Sequence, residues 1–399
     1  MSTRVSVPSD YIGSITANPG SLPEPIRNAL LSVRRHRFLD GWFRMEFDES
    51  QPTFLRVDFD KDAPSAEQLS VIYSDQPLVT AHDRVFPTSS TSQPSLVAGM
   101  LQHLDVVPGM RILEIGTGTG YNAALLAELS GGASNVFTIE CQQDVADKAR
   151  RFLIEEGYEG IHVICGDGFH GVAEGAPYDR LIATVGCSDI SPHWLEQLKP
   201  DGIMLIPLTH GFSDPLTQLV QDPHDPTCAV GTIVDRSAFM KIRGVLEWGN
   251  PWSTFIVHGL PSEPEWCRPL PESLSVPDSA HHPISAGNHW SFHFFLALCS
   301  RELWYDNRGY GLADPGSNSV VMMTARGIEA FSATGDVNTC AHLYSRLLSI
   351  HRKWVDLGYP APADYSLRLS PKDRFDSLTD LTREWVIERP RFLERIGLA

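Results

Sequence analysis

Long apolar runs are missing from this sequence: its greasiest late stretch, Phe292–Cys299, falls far short of the ~20 residues a membrane-spanning helix needs. The opening Met1–Tyr11 has neither the basic start nor the apolar stretch of a secretory signal, so a cytoplasmic setting without a membrane partner is expected. Paired cysteines are absent as well. Cys141, Cys165, Cys187, Cys228, Cys267, Cys299 and Cys340 are scattered, with no CxxC pair for a zinc knuckle or a dithiol redox site. Such spacing reads as reduced, mostly buried thiols. Basic residues are also scarce, 32 against 49 acidic ones, for a formal charge of -17. That balance argues against a nucleic-acid partner, which needs clustered Lys and Arg, and leaves a basic peptide open. No internal repeat is visible.

What is present is an ordinary globular composition, 42% hydrophobic and 20% charged over 399 residues, with room for two domains. Ile26, Ala29, Leu30 and Val33 carry a helical rhythm that ends near Arg34–Phe38. Phe54–Phe59 and Leu69–Tyr73 read as short strands, and Thr88–Pro94 as a polar loop. That loop opens a helix marked by Leu96, Val97, Met100, Leu101 and Leu104. Strands at Arg111–Ile115, Asn135–Ile139, Ile161–Cys165, Tyr178–Val185 and Gly202–Pro207 then alternate with helices at Tyr121–Leu129, Val145–Glu156 and Ser191–Leu198. This alternation predicts a mostly parallel sheet whose strand ends share one ligand-binding edge.

Beyond Thr209 the pattern loosens. Ser213–Pro226 is full of turn formers, and Val230–Val234, Ala238–Ile242, Thr254–Val257, Phe292–Ser300 and Ser319–Thr324 read as strands. Pro261–Gly287 reads as a long loop or linker. Leu343, Leu347, Ile350 and Trp354 mark a helix over Cys340–Leu357. The expected organisation is an N-terminal helical and strand segment, 1–87, packing on a core, 88–210, with an additional C-terminal α+β region, 211–399.

The chemistry concentrates in Glu114-Ile115-Gly116-Thr117-Gly118-Thr119-Gly120. Glycines at a strand-to-helix turn let backbone approach a ligand without Cβ clash. Glu140 closes the next strand, where a carboxylate can accept hydrogen bonds from both ribose hydroxyls. Asp167, between Gly166 and Gly168, follows the third strand within reach of an adenine amine. Strand-end carboxylates also cap helices, so each has a structural alternative. A nicotinamide dinucleotide competes for such a turn. Here, though, the GxGxxG spacing is lost and Tyr121 would crowd a helix packed against a pyrophosphate, which suits a cofactor without one.

The residues Ser92-Gln93-Pro94, Arg111–Tyr121, Gly166-Asp167-Gly168, Ala176-Pro177-Tyr178-Asp179 and Gln197–Gly202 resemble those of the protein-L-isoaspartate O-methyltransferase family. Ala29–Phe38 and Tyr73–Leu78 resemble its N-terminal portion, so the likeness spans roughly residues 22–210. It implies an α/β, Class I methyltransferase, Rossmann-like fold and S-adenosyl-L-methionine as cofactor. It further implies that Glu114, Gly116, Thr117, Gly118, Gly120, Glu140, Cys141, Asp167 and Gly168 hold that cofactor. Ser92 would orient the acceptor carboxylate, with Thr88, Ser90, Thr91, Val185, Gly186 and Cys187 lining the substrate side. The partner implied is a peptide or protein carboxylate, and the resemblance leaves room for a homodimer.

Three departures bear on the acceptor. Val33-Arg34-Arg35 stands where relatives carry Val-Pro-Arg, extra sequence precedes Tyr73, and Val185-Gly186-Cys187-Ser188 follows Thr184. Together with the long tail they resemble extended forms that modify ribosomally made peptides, methylating an aspartate that proceeds to aspartimide or isoaspartate. The expected acceptor is therefore a modified precursor peptide, with isoaspartyl repair as the alternative and an inactive cofactor-binding scaffold as the rival of another class. His281, His282, His289 and His293 are the one histidine-rich stretch, and no metal role is assigned to them. Seven of the nine tryptophans fall in the tail, where they serve a core or grip a peptide.

Overall fold

The computed structural model describes residues 6–16, 22–48, 51–211, 213–247, 253–254, 263–270, 287–306, 308–324, 326–374 and 383–398. The chain forms two compact units. One comprises Met1–Pro207, Thr217–Ala229 and Ser237–Glu247; the other comprises Leu208–Leu216, Val230–Arg236 and Trp248–Ala399.

In the first unit, α1 (Tyr11–Ile15) and α2 (Glu24–Ser32) precede a four-stranded sheet built from β1 (Gly41–Asp48), β2 (Gln51–Asp58), β3 (Leu78–His82) and β4 (Pro87–Thr91). Its order is β2-β1-β3-β4. Between β2 and β3 lies α3 (Ala66–Ile72), started by a Ser65/Gln68 capping box that satisfies two otherwise orphan amides. The expected strand at Leu69–Tyr73 is thus the end of a helix, because the cap upstream fixes the backbone before the apolar residues begin. The expected polar loop at Thr88–Pro94 is also corrected: its first half is β4, paired antiparallel with β3 through Val79↔Ser90 and Leu78↔Thr91. Pro94 then opens α4 (Pro94–Leu104), where a missing N–H costs nothing.

The parallel sheet follows the expected alternation. Its strands are β5 (Ile112–Ile115), β6 (Val136–Glu140), β7 (His162–Cys165), β8 (Tyr178–Ala183) and β9 (Leu198–Pro207). The helices α5 (Tyr121–Ser130), α6 (Gln143–Glu155) and α7 (Pro192–Gln197) connect them. Strand β5 lies centrally, parallel to β6 and β8, and every one of its residues is buried. Burial on both faces explains its near-continuous apolar sequence. Helix α5 is buried nearly all round, from Ala123 to Ala127, so little amphipathic contrast marks it. Two further strands, β10 (Leu216–Asp222) and β11 (Asp225–Asp235), extend the order to β11-β10-β9-β8-β5-β6-β7. The turn-rich reading of Ser213–Pro226 therefore missed β10. Conversely, Ala238–Ile242 forms no strand; a single parallel bridge joins Lys241 to Gly186.

The second unit contains β12 (Ser253–Thr254), β13 (Trp266–Arg268), α8 (Gly287–Cys299), β14 (Glu302–Tyr305), β15 (Gly309–Asp314), β16 (Ser319–Thr324) and β17 (Gly327–Ser332). After α9 (Val337–Asp356) come β18 (Tyr365–Pro371), β19 (Glu384–Glu388) and β20 (Phe392–Leu398). One sheet runs β12-β14-β15-β16-β17-β13, and β20 lies between β18 and β19. Helix α9 buries the expected stripe of Leu343, Leu347, Ile350 and Trp354. The segment expected as a strand at Phe292–Ser300 is helix α8, with Phe292 through Leu298 all buried. A short apolar run buried on every side carries no period that separates strand from helix. His293 sits inside that helix, its ring 4.9 Å from Tyr310, and burial pushes it down to about 4, a neutral core histidine. His281, His282 and most of Pro261–Gly287 lie outside the described residues. Trp304, Trp354 and Trp385 are buried, so these three belong to the core rather than to a peptide-gripping surface.

Candidate functional site

At the C-terminal ends of β5 and β6 the first unit encloses a cavity of about 750 Å³, walled by the glycine turn, β4 with Ser92, and the segment Ala238–Arg243. This is the edge where open parallel sheets bind ligands, and the volume lies in the range of cofactor sites.

The glycine turn is built by conformation and by space. Gly116, Gly118 and Gly120 have φ of +99°, +55° and +84°, a region costly for side-chain-bearing residues. A Cβ on Gly116 would lie 2.9 Å from Thr184 Oγ1 and 3.0 Å from Val185 Cγ1. Thr184 Oγ1 also donates to the Gly116 carbonyl at 2.6 Å. On Gly118 a Cβ would stand 3.3 Å from the Ser90 carbonyl, so the turn and β4 touch through bare backbone. Gly120 points the other way: a Cβ there would meet Leu153 of α6, and its glycine serves helix packing.

Glu140 ends β6 with its carboxylate on the cavity wall. Oε2 accepts from the Gly118 N–H at 3.1 Å, and Oε1 accepts from the Gln142 N–H at the same distance. A carboxylate fixed by two amides is preorganised to receive hydroxyl donors. Glu114 is fully buried, accepting from Asn122 Nδ2 and from Thr138 Oγ1, each at 2.7 Å. Burial pushes its carboxyl up to about 7, against those two hydrogen bonds. Thr117 Oγ1 lies 2.7 Å from Thr138 Oγ1 and completes the network. Cys141 lines the cavity beside Glu140. Burial first, and then that carboxylate, push its thiol up to about 11, which leaves it a poor nucleophile.

The opposite wall is the hydroxyl-rich strand. Thr88, Ser90, Thr91 and Ser92 all reach the cavity. Gln142 Nε2 donates to the Thr88 carbonyl at 2.9 Å, tying this wall to the turn after β6. From beneath, Arg35 Nη2 donates to the Ser92 carbonyl at 3.0 Å.

Of the residues expected on the cofactor side, Glu114, Gly116, Thr117, Gly118, Glu140, Cys141 and Gly168 line the cavity, and on the substrate side so does Val185. Four do not. Gly120 packs on α6, as described. Gly186 exchanges backbone hydrogen bonds with Met240 and Ile242, both at 2.9 Å, and so docks that segment instead of lining the space. Cys187 is buried, its N–H donating to the Pro207 carbonyl at 2.8 Å. Asp167 accepts from the N–H groups of Phe169 at 2.9 Å and Val245 at 2.8 Å, which turns its carboxylate toward the short turn Gly244–Leu246. Residues of that tail segment, Phe239, Met240, Ile242 and Arg243, line the cavity with no counterpart among the sequence expectations. Their return to the site is a long-range pairing that local spacing does not encode. Met45, Phe86, Tyr121 and Asn122 were likewise missed; Asn122 was legible in principle as a polar residue in the first turn of the helix that follows the glycine turn.

Residues 20–229 match the sequence model of the family Protein-L-isoaspartate(D-aspartate) O-methyltransferase (PCMT). A Protein-L-isoaspartate O-methyltransferase 2 of Polaromonas sp. is 38% identical over 179 residues, 45% of this chain and 81% of that protein. A Protein-L-isoaspartate O-methyltransferase of Thermotoga maritima is 35% identical over 161 residues, and there the chain spans only half the relative's length. A solved protein-L-isoaspartate O-methyltransferase covers 88% of this chain and 92% of its own, at 25% identity and a TM-score of 0.48. The names of the two sequence relatives refer to isoaspartate, and neither refers to modification of ribosomally made peptides. The chain belongs to the protein-L-isoaspartate(D-aspartate) O-methyltransferase family, and with it to the S-adenosylmethionine-dependent methyltransferases of Class I fold.

Proposed function

We propose that this chain methylates the free α-carboxylate of an isoaspartyl residue in a peptide or protein, a repair-type activity. The observation that carries the reading is the meeting of two walls around one cavity, Glu140 with the glycine turn on one side and Ser92 with its hydroxyl neighbours on the other. The residues present fit the cofactor: glycines of positive φ at the strand-to-helix turn, and the Glu140 carboxylate held on the cavity wall by the Gly118 and Gln142 amides. When bound, S-adenosylmethionine supplies an electrophilic methyl group. Gly116, Gly118 and Glu140 would hold it.

An acceptor carboxylate is already ionised near pH 7, its unperturbed pKa being about 4, so no general base is required. The contribution of this chain is then orientation and preorganised donors. Ser92 Oγ would hold one carboxylate oxygen while leaving the other to attack. Cys141 takes no covalent part, and Glu114 serves the turn's geometry. The apolar side chains Phe239, Met240 and Ile242 on the same cavity would exclude water from the acceptor. The region after residue 229 lies outside the family match, and we assign it to acceptor recognition or oligomerisation.

Labelled S-adenosylmethionine, incubated with the chain and matched peptides containing isoaspartate or aspartate, tests this. Label only in the isoaspartyl peptide is expected. Label only in an aspartate held in a ring-constrained, ribosomally made peptide would replace the repair reading with the peptide-modifying one. Cofactor binding without transfer to either would make the chain a scaffold.

A further inference from the structure

Arg35 is entirely buried, yet among the described residues no carboxylate is hydrogen-bonded to it. Its guanidinium donates only to backbone carbonyls. Nη1 reaches those of Ile72 and, at 3.3 Å, Ser74. Nη2 reaches those of Gln76 at 2.9 Å, Thr91 at 3.4 Å and Ser92 at 3.0 Å. A buried cation is expensive, and the planar fork of donors on a guanidinium is preorganised to serve carbonyls from two separate segments at once. The two segments here are the turn that ends α3 and the junction between β4 and α4.

Ser92 stands at that junction. It lies past the end of β4 and ahead of Gln93, the residue that caps α4, so neither a strand ladder nor a helix fixes its peptide plane. Asp75 completes the clamp from the α3 side, accepting from Gln93 Nε2 at 2.9 Å and from the Ser95 N–H at 2.8 Å. The four residues Ser92–Ser95 are thus held at both ends by groups that never reach the cavity.

We propose that Arg35 is a positioning residue: through the Ser92 carbonyl it sets the direction in which the Ser92 hydroxyl meets the acceptor. This rests on the reading of Ser92 given above. Displacement of a reacting group by about 1 Å can cost on the order of 100-fold in rate, so the clamp has a kinetic consequence apart from stability.

Arg35→Lys keeps the charge and loses the fork. With an isoaspartyl peptide it is expected to lower kcat about tenfold or more, while cofactor affinity by calorimetry stays within about threefold. In a Ser92→Ala background the same substitution is expected to cost less than about twofold, because the hydroxyl it positions is gone. Equal losses in both backgrounds, or unchanged kcat in the single variant, would overturn the proposal. A merely structural arginine would lose cofactor affinity and melting temperature along with kcat. Hydrogen exchange on the full chain decides independently of turnover. Faster exchange confined to residues 88–95 in Arg35→Lys supports the clamp, and unchanged or uniformly raised exchange refutes it. Asp75→Asn, milder at the same clamp, is the second variant and is expected to raise exchange over residues 92–95 alone; protection there equal to wild type would refute it. Should the wild type transfer no methyl group to an isoaspartyl peptide, the functional reading fails and the exchange result still judges Arg35.

Discussion

Asn122 Nδ2 lies 2.7 Å from Glu114 Oε1, joining the first turn of α5 to the strand that feeds the glycine turn. With Thr138 on the other oxygen, the fully buried carboxyl has its polar needs met, yet burial still raises it from 4.5 to about 7.

A pH dependence follows from Glu114. Its raised folded-state value means the native chain holds a proton that the unfolded chain releases above about 4.5. The contribution of this group to stability is therefore fully present below that pH and is lost as pH rises toward 7, by on the order of 3 kcal/mol in total. Glu114→Gln cannot titrate, so the wild-type minus variant difference should fall across pH 4.5–7 in urea unfolding. A flat difference would show that the carboxyl is not raised.

The two walls of the cavity predict separate kinetic signatures. Glu140→Ala removes a charged acceptor worth about 1.5–3 kcal/mol, so cofactor affinity should drop about 10- to 100-fold by calorimetry. Unchanged affinity would remove Glu140 from the ribose. Ser92→Ala should leave that affinity within about twofold and lower kcat on an isoaspartyl peptide by about tenfold or more. Weaker cofactor binding with intact turnover would exchange the roles of the two walls.

Glycines at 109 and 116 offer a contrast. Both have positive φ, +90° and +99°, but a Cβ on Gly109 meets nothing within 4 Å, whereas on Gly116 it meets Thr184 and Val185. Each alanine substitution should cost about 1–3 kcal/mol of stability from backbone strain. Only Gly116→Ala should also lose cofactor affinity. Equal affinities in the two variants would mean that close approach at Gly116 serves packing alone.

In the second unit, Glu394 accepts from Arg389 Nε at 2.8 Å and pairs with His210 Nε2 at 3.0 Å, all three side chains being buried. Burial pushes the Glu394 carboxyl up, but Arg389 and His210 override it and hold it at about 2. A depressed value contributes stability above about 4.5 that is lost as pH falls toward 2, opposite in sign to Glu114. Arg389→Met leaves the carboxylate buried without its main partner and should destabilise by about 3–5 kcal/mol. Circular dichroism melting near neutral pH would register this, and an unchanged melting temperature would refute it.

Local order explains which parts of this protein were readable before folding. The alternation from Arg111 to Pro207, the glycine turn and Glu140 lie in consecutive strand-turn-helix units, and their periods and strand-end positions are properties of neighbouring residues. The motif Ser92-Gln93-Pro94 was readable as a motif, although its setting at the end of a strand was not, since β4 exists only by pairing with β3. Helix α8 escaped for a related reason: burial on every side erases the period that would mark it.

Tertiary structure alone decided the rest. Asp167 looked like an adenine ligand from its place after β7, but the folded chain brings Val245 to its carboxylate. Gly186 and Cys187 looked like substrate contacts, but the bridge to Lys241 makes them the support for a wall that the tail supplies. Arg35 was one basic residue in a helix end until folding gathered five carbonyls around it. The sequence by itself determined the strand-turn-helix edge that carries the glycine turn and Glu140, because its signals are local. Which side chains close the cavity, and what holds Ser92 in place, depended on contacts between segments far apart in the chain, whose partners are selected by packing and hydrogen-bond satisfaction.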